Sequence, residues 1–368
     1  MDFLLERFAT APDRVAFIDD DRAVTYGQVL AKVDTYSAWL KDKGVERGAI
    51  VAVLGDYAPE LFCFLLALVK NKNTLVPLTA ESVVEKDTVL AISEAGYFVQ
   101  FNADLDRMAL ERLGTKVTTP LLVDFLKGGD PGLILFSSGS SGKPKGILHN
   151  FRLVAEKFRE ARRATITITF LMLDHFGGIN TLLAITSSLG TVVTVKTRSV
   201  SAICETIQKH KVETLPTTPS FLNMLVSSGS QKRYDLSSLK LITYGTEVMP
   251  QNTLDRLRGI FAGVKLQQTY GLSELGVLRS QSREDGSLWV RVGGEGFETK
   301  VVDGILWIRS RFAMVGYLNA PSPFDAEGWF NTQDRVEVDG EYFRILGRVT
   351  DLMNIGGQKV YPAEIEDI

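Results

Sequence analysis

Thiols are scarce in this chain: among 368 residues only Cys63 and Cys204 occur, far apart and each inside an apolar stretch. That excludes a disulfide scaffold and speaks against a metal or redox motif, and the pair reads as buried thiols of a reducing compartment. Charge of one sign is lacking too, with 41 Lys+Arg against 44 Asp+Glu and a net charge of −3. Phosphate-backbone recognition needs clustered cations, so no nucleic acid is expected as partner. No apolar run is long enough to span a bilayer. The longest, LFCFLLALV over 61–69, has about half the required length and reads as one face of a core helix. The opening segment MDFLLERFATAPDR holds Asp2 and Glu6 and lacks a basic-then-apolar pattern, so no secretory signal is expected and a cytoplasmic location is. What is present, 45% hydrophobic and 23% charged residues, is the composition of a globular protein with a small-molecule partner, long enough for two or three packed units.

From about residue 25 to 270, short β-branched or apolar runs alternate with stretches of helical periodicity, which implies parallel sheets flanked by helices. Thr25 can cap a helix over 26–43 that stops at Gly44; strand 49–54 and helix Pro59–Lys70 follow. Later strands are expected at 132–136, 191–196, 239–244 and 264–268, with a helix over Val200–His210. After about 280 the texture changes. Asp285-Gly286, Asp303-Gly304 and Asp339-Gly340 each sit between alternating apolar segments, the signal of β-hairpins, so 281–350 reads as an antiparallel module. The closing segment from 351 begins something new.

Four motifs carry chemistry. FSSGSSGKPKG over 136–146 follows a buried strand and offers four hydroxyls (Ser137, Ser138, Ser140, Ser141), the glycines Gly139, Gly142 and Gly146, and the cations Lys143 and Lys145. Free backbone N–H groups beside two lysines suit an anion. A P-loop is excluded, because Ser137 and Pro144 stand where it requires Gly and Ser/Thr; a flexible surface linker is the alternative. QTYGLSE over 268–274 lies at a strand's C-terminal end, where open α/β sheets place ligands. Tyr270 offers a ring for a base and Glu274 an oxygen for magnesium, although a core aromatic and a first-turn helix acid fit the same residues. GWFNTQD over 328–334 ends in Asp334, whose carboxylate can accept both hydroxyls of a ribose. In RILGRVTD over 344–351 Arg348 can donate to the same sugar or to a phosphate.

All four in this order resemble the adenylate-forming superfamily of acyl-CoA synthetases, aryl-acid ligases, luciferases and nonribosomal adenylation domains. The resemblance spans nearly the whole chain, with weaker matches at 54–77, 174–178, 245–247 and 304–317. It implies a fold of two helix-flanked α/β sheets (to about 280) plus a distorted antiparallel β-barrel (about 281–350) in a large N-terminal domain over 1–350, and only the start of a small α+β lid over 351–368. It implies activation of a carboxylic acid by ATP to an acyl adenylate with release of pyrophosphate. The acyl group then passes to the thiol of CoA or of a carrier protein's phosphopantetheine, as in fatty acid metabolism. By similarity, 137–145 embraces the β- and γ-phosphates and Glu274 holds Mg2+. Ser273 reaches the α-phosphate, Tyr270-Gly271 and the backbone of Gly245, Thr246 and Glu247 hold the adenine, and Asp334 and Arg348 hold the ribose. Asp351 matches the hinge, and Gly356-Gly357 the loop lining the thiol tunnel.

The same resemblance places His175 beside the reacting carboxylate and Phe176 where amino-acid-activating members carry an Asp; Gly178 and Leu272 also fall in the acid pocket. This favours an acid without an α-amino group. The other register puts Asp174 at that position and implies an amino acid, and His175 can also be read as a structural histidine. Tyr244, where many members have Gly, suggests a narrowed pocket. Gln333 departs from the glycine of the family's T-G-D string, and Ile305 from the acid of its G-E-L string. The family's last lysine, which bridges the carboxylate and the α-phosphate, would fall beyond Ile368, so residues 1–368 are expected to make adenylate poorly. The rival to an enzyme is a lidless relative that only binds a nucleotide or acyl ligand.

Overall fold

The computed structural model describes residues 2–80, 82–138, 143–284, 286–355 and 358–361. Two compact units share the chain, 1–195 with 312–321 and 196–311 with 322–368.

The first unit is built on a sheet in the order Gly316–Tyr317, Pro144–Asn150, Gly132–Ser138, Thr74–Leu78, Ile50–Leu54, Tyr97–Gln100, Ala109–Arg112. Its central four strands run parallel, and the flanking ones antiparallel. A purely parallel sheet was the expectation from alternation. The difference arises because the polar-ended run Pro144–Asn150 returns directly alongside Gly132–Ser138, in register from Gly132↔Asn150 to Ser138↔Pro144. A second group of strands, in the order Ile166–Thr169, Thr191–Thr194, Val15–Asp19 and Arg22–Thr25, is parallel except for its last pair.

Local chemistry accounts for the helices. Tyr26–Asp42 starts at Thr25, whose side chain accepts from the Gln28 N–H while the Gln28 side chain accepts from the Thr25 N–H, a capping box. Pro59–Lys70 places proline in the first turn and is buried at every residue from 59 to 69. It is therefore apolar all round rather than on one face, as a helix wrapped by protein must be. Its one acid, Glu60, is satisfied by both guanidinium nitrogens of Arg22, one of them at 2.9 Å. The sheet's core lies over Ile50, Ala52, Val76, Leu78, Phe98, Ile134 and Leu148, with Leu122 packed on it from Pro120–Lys127.

In the second unit, Thr214–Thr217, Leu241–Tyr244 and Lys265–Gln268 run parallel and in step, so that Thr217, Tyr244 and Gln268 share one level at the C-terminal ends. Beyond them lies a seven-stranded antiparallel sheet in the order Tyr270–Leu272, Gly276–Ser282, Trp289–Gly293, Tyr342–Arg348, Phe330–Asp339, Ile305–Ser310, Phe297–Val302. Its hydrogen bonding is open, not closed into a barrel. Asp303-Gly304 forms a two-residue turn with both φ positive (52° and 75°), the geometry an Asp-Gly hairpin provides. The Asp339-Gly340 hairpin also forms; Asp285 lies outside the described residues. Among the described residues no helix is long and apolar enough to cross a membrane.

Candidate functional site

The second unit contains a cavity of about 620 Å³ lined by residues of the predicted motifs, among them Thr246, Glu247, Tyr270, Gly271, Leu272, Asp334, Arg348 and Asp351. Asp334 reaches it through an irregularity in its strand. Trp307 pairs with Asn331 and Ile305 with Arg335, so the strand Phe330–Asp339 carries two more residues than its partner over this stretch. Such a bulge bends a strand and re-aims its side chains. Thr332 anchors it: its hydroxyl donates to the Leu306 carbonyl at 2.7 Å and accepts from the Asp334 N–H at 3.0 Å. Gln333 takes the left-handed conformation, φ 60°, and its side chain is exposed. It projects into solvent and does not crowd the neighbouring carboxylate.

The carboxylate of Asp334 is 7% exposed. Tyr270 Oη donates to Oδ2, and Arg348, directly opposite in register, brings Nε to 3.6 Å from Oδ1. Burial pushes the Asp334 pKa above the usual carboxylate value, against the pull of Tyr270 and Arg348. Burial and the adjacent Asp334 carboxylate push the Tyr270 pKa far up, so the phenol keeps its proton and donates it. A tyrosine, an acid and an exposed arginine thus meet on one wall.

Gly245 permits the close approach of the opposite wall, since a Cβ there would sit 2.4 Å from Thr269 Oγ1 and 2.7 Å from its carbonyl oxygen. The next residue, Thr246, is held at φ 71°, an unfavourable conformation for a β-branched side chain and the kind of strain that clusters at ligand sites. Glu247 Oε2 accepts from Ser220 N (3.0 Å) and Oγ (2.6 Å), covering the first turn of Pro219–Ser228. Gln268 lines the cavity, and its Oε1 is a buried acceptor without a hydrogen-bond partner among the described residues. The sequence offers no role for Gln268 beyond its place as the first residue of the QTYGLSE motif at a strand's C-terminal end.

Not every expected residue reaches this cavity. Tyr244 is 1% exposed and packed in the core, outside the lining. Ser273 and Glu274 fall in the tight turn between Tyr270–Leu272 and Gly276–Ser282, so the first-turn-of-helix reading of Glu274 does not hold. Among the described residues no cluster of three or more His, Cys, Asp or Glu could hold a metal. Glu274 is a single carboxylate in that turn and does not line the cavity.

In the first unit, the Gly/Ser/Lys motif joins two antiparallel strands and forms no strand-to-helix turn. Ser137 lies opposite Lys145, whose ammonium sits 5.3 Å from the centre of the Tyr317 ring. Asn319, unremarked in the sequence, clamps the base of the hairpin: it accepts from Gly146 N at 3.0 Å and donates to the Pro144 carbonyl at 2.9 Å. Lys143 is exposed; Gly139, Ser140, Ser141 and Gly142, like Gly356 and Gly357, lie outside the described residues, and Ser138 is described only as a strand residue.

Asp174 and His175 also belong to this unit. The Asp174 carboxylate is 6% exposed, accepts from Thr79 Oγ1 at 2.9 Å and lies 2.9 Å from His175 Nδ1. These partners hold the carboxylate in the interior of the first unit. Phe176 is buried against His149, ring centres 5.0 Å apart. Gly178 is required by packing, because a Cβ would lie 2.2 Å from the Met172 carbonyl oxygen.

A cavity at the C-terminal ends of parallel strands, walled by an acid, a phenol and an arginine, defines a nucleotide-binding α/β protein. The sequence profile of AMP-binding enzymes matches residues 4–86 and 85–318, and the chain belongs to that family. It is 26% identical over 411 residues to indoleacetate–CoA ligase of Aromatoleum aromaticum, covering 97% of this chain and 80% of the relative. It is 28% identical over 437 residues to acyl-CoA synthetase 7 of Caenorhabditis elegans, covering 99% and 80%. The fold matches an anthranilate CoA ligase solved with anthranoyl-AMP (TM-score 0.82, 20% identity, 100% of this chain and 80% of that one). It also matches the N-terminal subdomain of Klebsiella oxytoca NpsA (TM-score 0.77, 19% identity, 94% and 99%).

Proposed function

We propose that the protein activates a carboxylic acid without an α-amino group as its acyl adenylate, releasing pyrophosphate from ATP, and passes the acyl group to the thiol of CoA. The observation that carries this is the Tyr270–Asp334–Arg348 wall of the second unit's cavity. Asp334 keeps one well-placed carboxylate for vicinal ribose hydroxyls, with Arg348 donating beside it. The Tyr270 ring and the strained Gly245–Thr246–Glu247 backbone take the adenine. The relatives named above, a CoA ligase and an acyl-CoA synthetase, support the reaction class.

The remaining roles follow the resemblance. The hairpin from Ser137 to Lys145 neutralises the β- and γ-phosphates, Ser273 meets the α-phosphate, and His175, Phe176, Gly178 and Leu272 contact the acid; Tyr244, buried in the core, acts only through packing. Attack by one anion on another is slow mainly for electrostatic and positional reasons, and these residues supply both remedies. Glu274 would hold Mg2+, which adds charge neutralisation when bound. Asp351 is the hinge, and a carrier-protein thiol is the alternative acceptor. Burial pushes the thiols of Cys63 and Cys204 up to about 12 and about 11, so both are protonated and unreactive, in keeping with a cytoplasmic enzyme.

The test is a panel of aryl, indolyl and fatty acids with ATP, scored by mass detection of the acyl adenylate on the full natural chain. Adenylate from at least one acid is expected; none from any, with no pyrophosphate release, would leave only a nucleotide-binding relative.

A further inference from the structure

We propose that the Tyr270 hydroxyl is a positioning group for ribose binding, which fixes the Asp334 carboxylate through Oδ2 and keeps it charged. This rests on the nucleoside reading of the second unit's cavity, and every residue it invokes belongs to that unit. One side chain then has two separable roles. The ring offers its face to the base, and the hydroxyl acts through its neighbour.

The backbone on both sides of this contact is held. The Asp334 N–H donates to Thr332 Oγ1 at 3.0 Å, and that hydroxyl donates to the Leu306 carbonyl at 2.7 Å, so the bulge leaves Asp334 only its side-chain rotations. Tyr270 pairs with Leu278, and a Cβ on Gly271 would lie 2.8 Å from Val277 Cα, so the strand carrying the phenol is packed closely on its partner. The phenol is 7% exposed and donates to Oδ2. That bond stops the carboxylate from turning and leaves Oδ1 on the side of Arg348, whose Nε is 3.6 Å away.

The charge of Asp334 depends on the same bond. A carboxylate can accept from two ribose hydroxyls, whereas a neutral carboxyl carries its own proton and loses acceptor capacity. The titratable groups acting on Asp334 are Tyr270, Arg348 at the end of Tyr342–Arg348, and Asp351 in the turn that follows. Burial and the Asp351 carboxylate favour the neutral form, and together they outweigh Tyr270 and Arg348, so Asp334 titrates above the ordinary carboxylate value. The Arg348 side chain is 53% exposed and water screens it, while the buried phenol donates directly; of the two groups that favour the anion, the hydroxyl has the larger effect. Nucleotide affinity therefore falls as pH drops through the Asp334 value, and loss of the hydroxyl should move that acid limb to higher pH.

The experiment measures ATP dissociation constants by calorimetry for the full natural chain and for Tyr270→Phe, from about pH 5 to 9. Ionisation of ATP is common to both and cancels in their ratio. Tyr270→Phe should bind roughly 10-fold more weakly, with the ratio widening as pH falls and the acid limb about one pH unit higher. For an ATP analogue lacking both ribose hydroxyls, most of this difference should vanish. Wild-type affinity in Tyr270→Phe, or a ratio that is the same at every pH and for both nucleotides, overturns the proposal and leaves Tyr270 a packing role. If Tyr270→Phe does not fold, a ring-fluorinated tyrosine at position 270 reads the same bond with opposite sign. Its more acidic phenol donates more strongly, so the limb should move to lower pH, and an unmoved or raised limb overturns the proposal. A wild-type chain that binds ATP at no pH overturns the nucleoside reading instead.

Discussion

Gln333 occupies the left-handed region, φ 60°, inside the bulge that delivers Asp334, and its side chain touches solvent. For a residue with a Cβ that conformation costs roughly 1–2 kcal/mol, part of which glycine would return as extra freedom in the unfolded chain. Gln333→Gly should therefore stabilise the protein by roughly 0.5–1 kcal/mol in urea unfolding. A loss of stability would mean that the side chain has a packing role the structure does not show. The departure from glycine was legible in the sequence; its consequence was not, because whether a side chain crowds a site or leaves it depends on one backbone dihedral. Asp174 teaches the same point: its burial and its hydrogen bond from Thr79, 95 residues away in sequence, are not visible in a linear pattern.

At the scale of elements, the helix Pro120–Lys127 is capped from a distance. Its N-cap residue, Thr119, makes no side-chain cap, and Glu94 does the work instead, accepting from the backbone N–H and hydroxyl groups of both Thr118 and Thr119 at 2.7–3.2 Å. These bonds hold the Glu94 pKa below the ordinary carboxylate value. The stability they contribute is present above the unfolded-state value, near 4.3, and is lost as pH falls through the lower folded-state value. Glu94→Ala should cost about 1 kcal/mol at neutral pH, and the gap to wild type should close below about pH 4 in thermal melts. A gap that persisted in acid would show that the clamp acts through packing. Caps made within three residues, such as Thr25 with Gln28, could be read directly from the sequence. The Glu94 clamp could not, since its partners lie more than twenty residues away.

For the whole molecule, the Tyr270–Asp334–Arg348 wall lies entirely within the second unit, so on the proposed function nucleotide binding should register there as linkage. ATP at a hundred times its dissociation constant should add about 2.7 kcal/mol to unfolding, visible as a raised melting temperature. Asp334→Asn should abolish most of that shift while leaving the unliganded melt near wild type, and an undiminished shift would remove Asp334 from the ribose site. The sequence by itself determined the family motifs, the helices Pro59–Lys70 and Val200–His210, the Thr25 cap and the Asp303-Gly304 turn. Each depends on chemistry within a few residues, which a linear pattern preserves. Only the tertiary structure decided that Pro144–Asn150 returns antiparallel alongside Gly132–Ser138, that two extra residues turn Asp334 onto Tyr270, and that Asp174 is buried with Thr79 as partner. Those outcomes depend on which distant strand supplies the partner and in what register, and local periodicity carries no information about either.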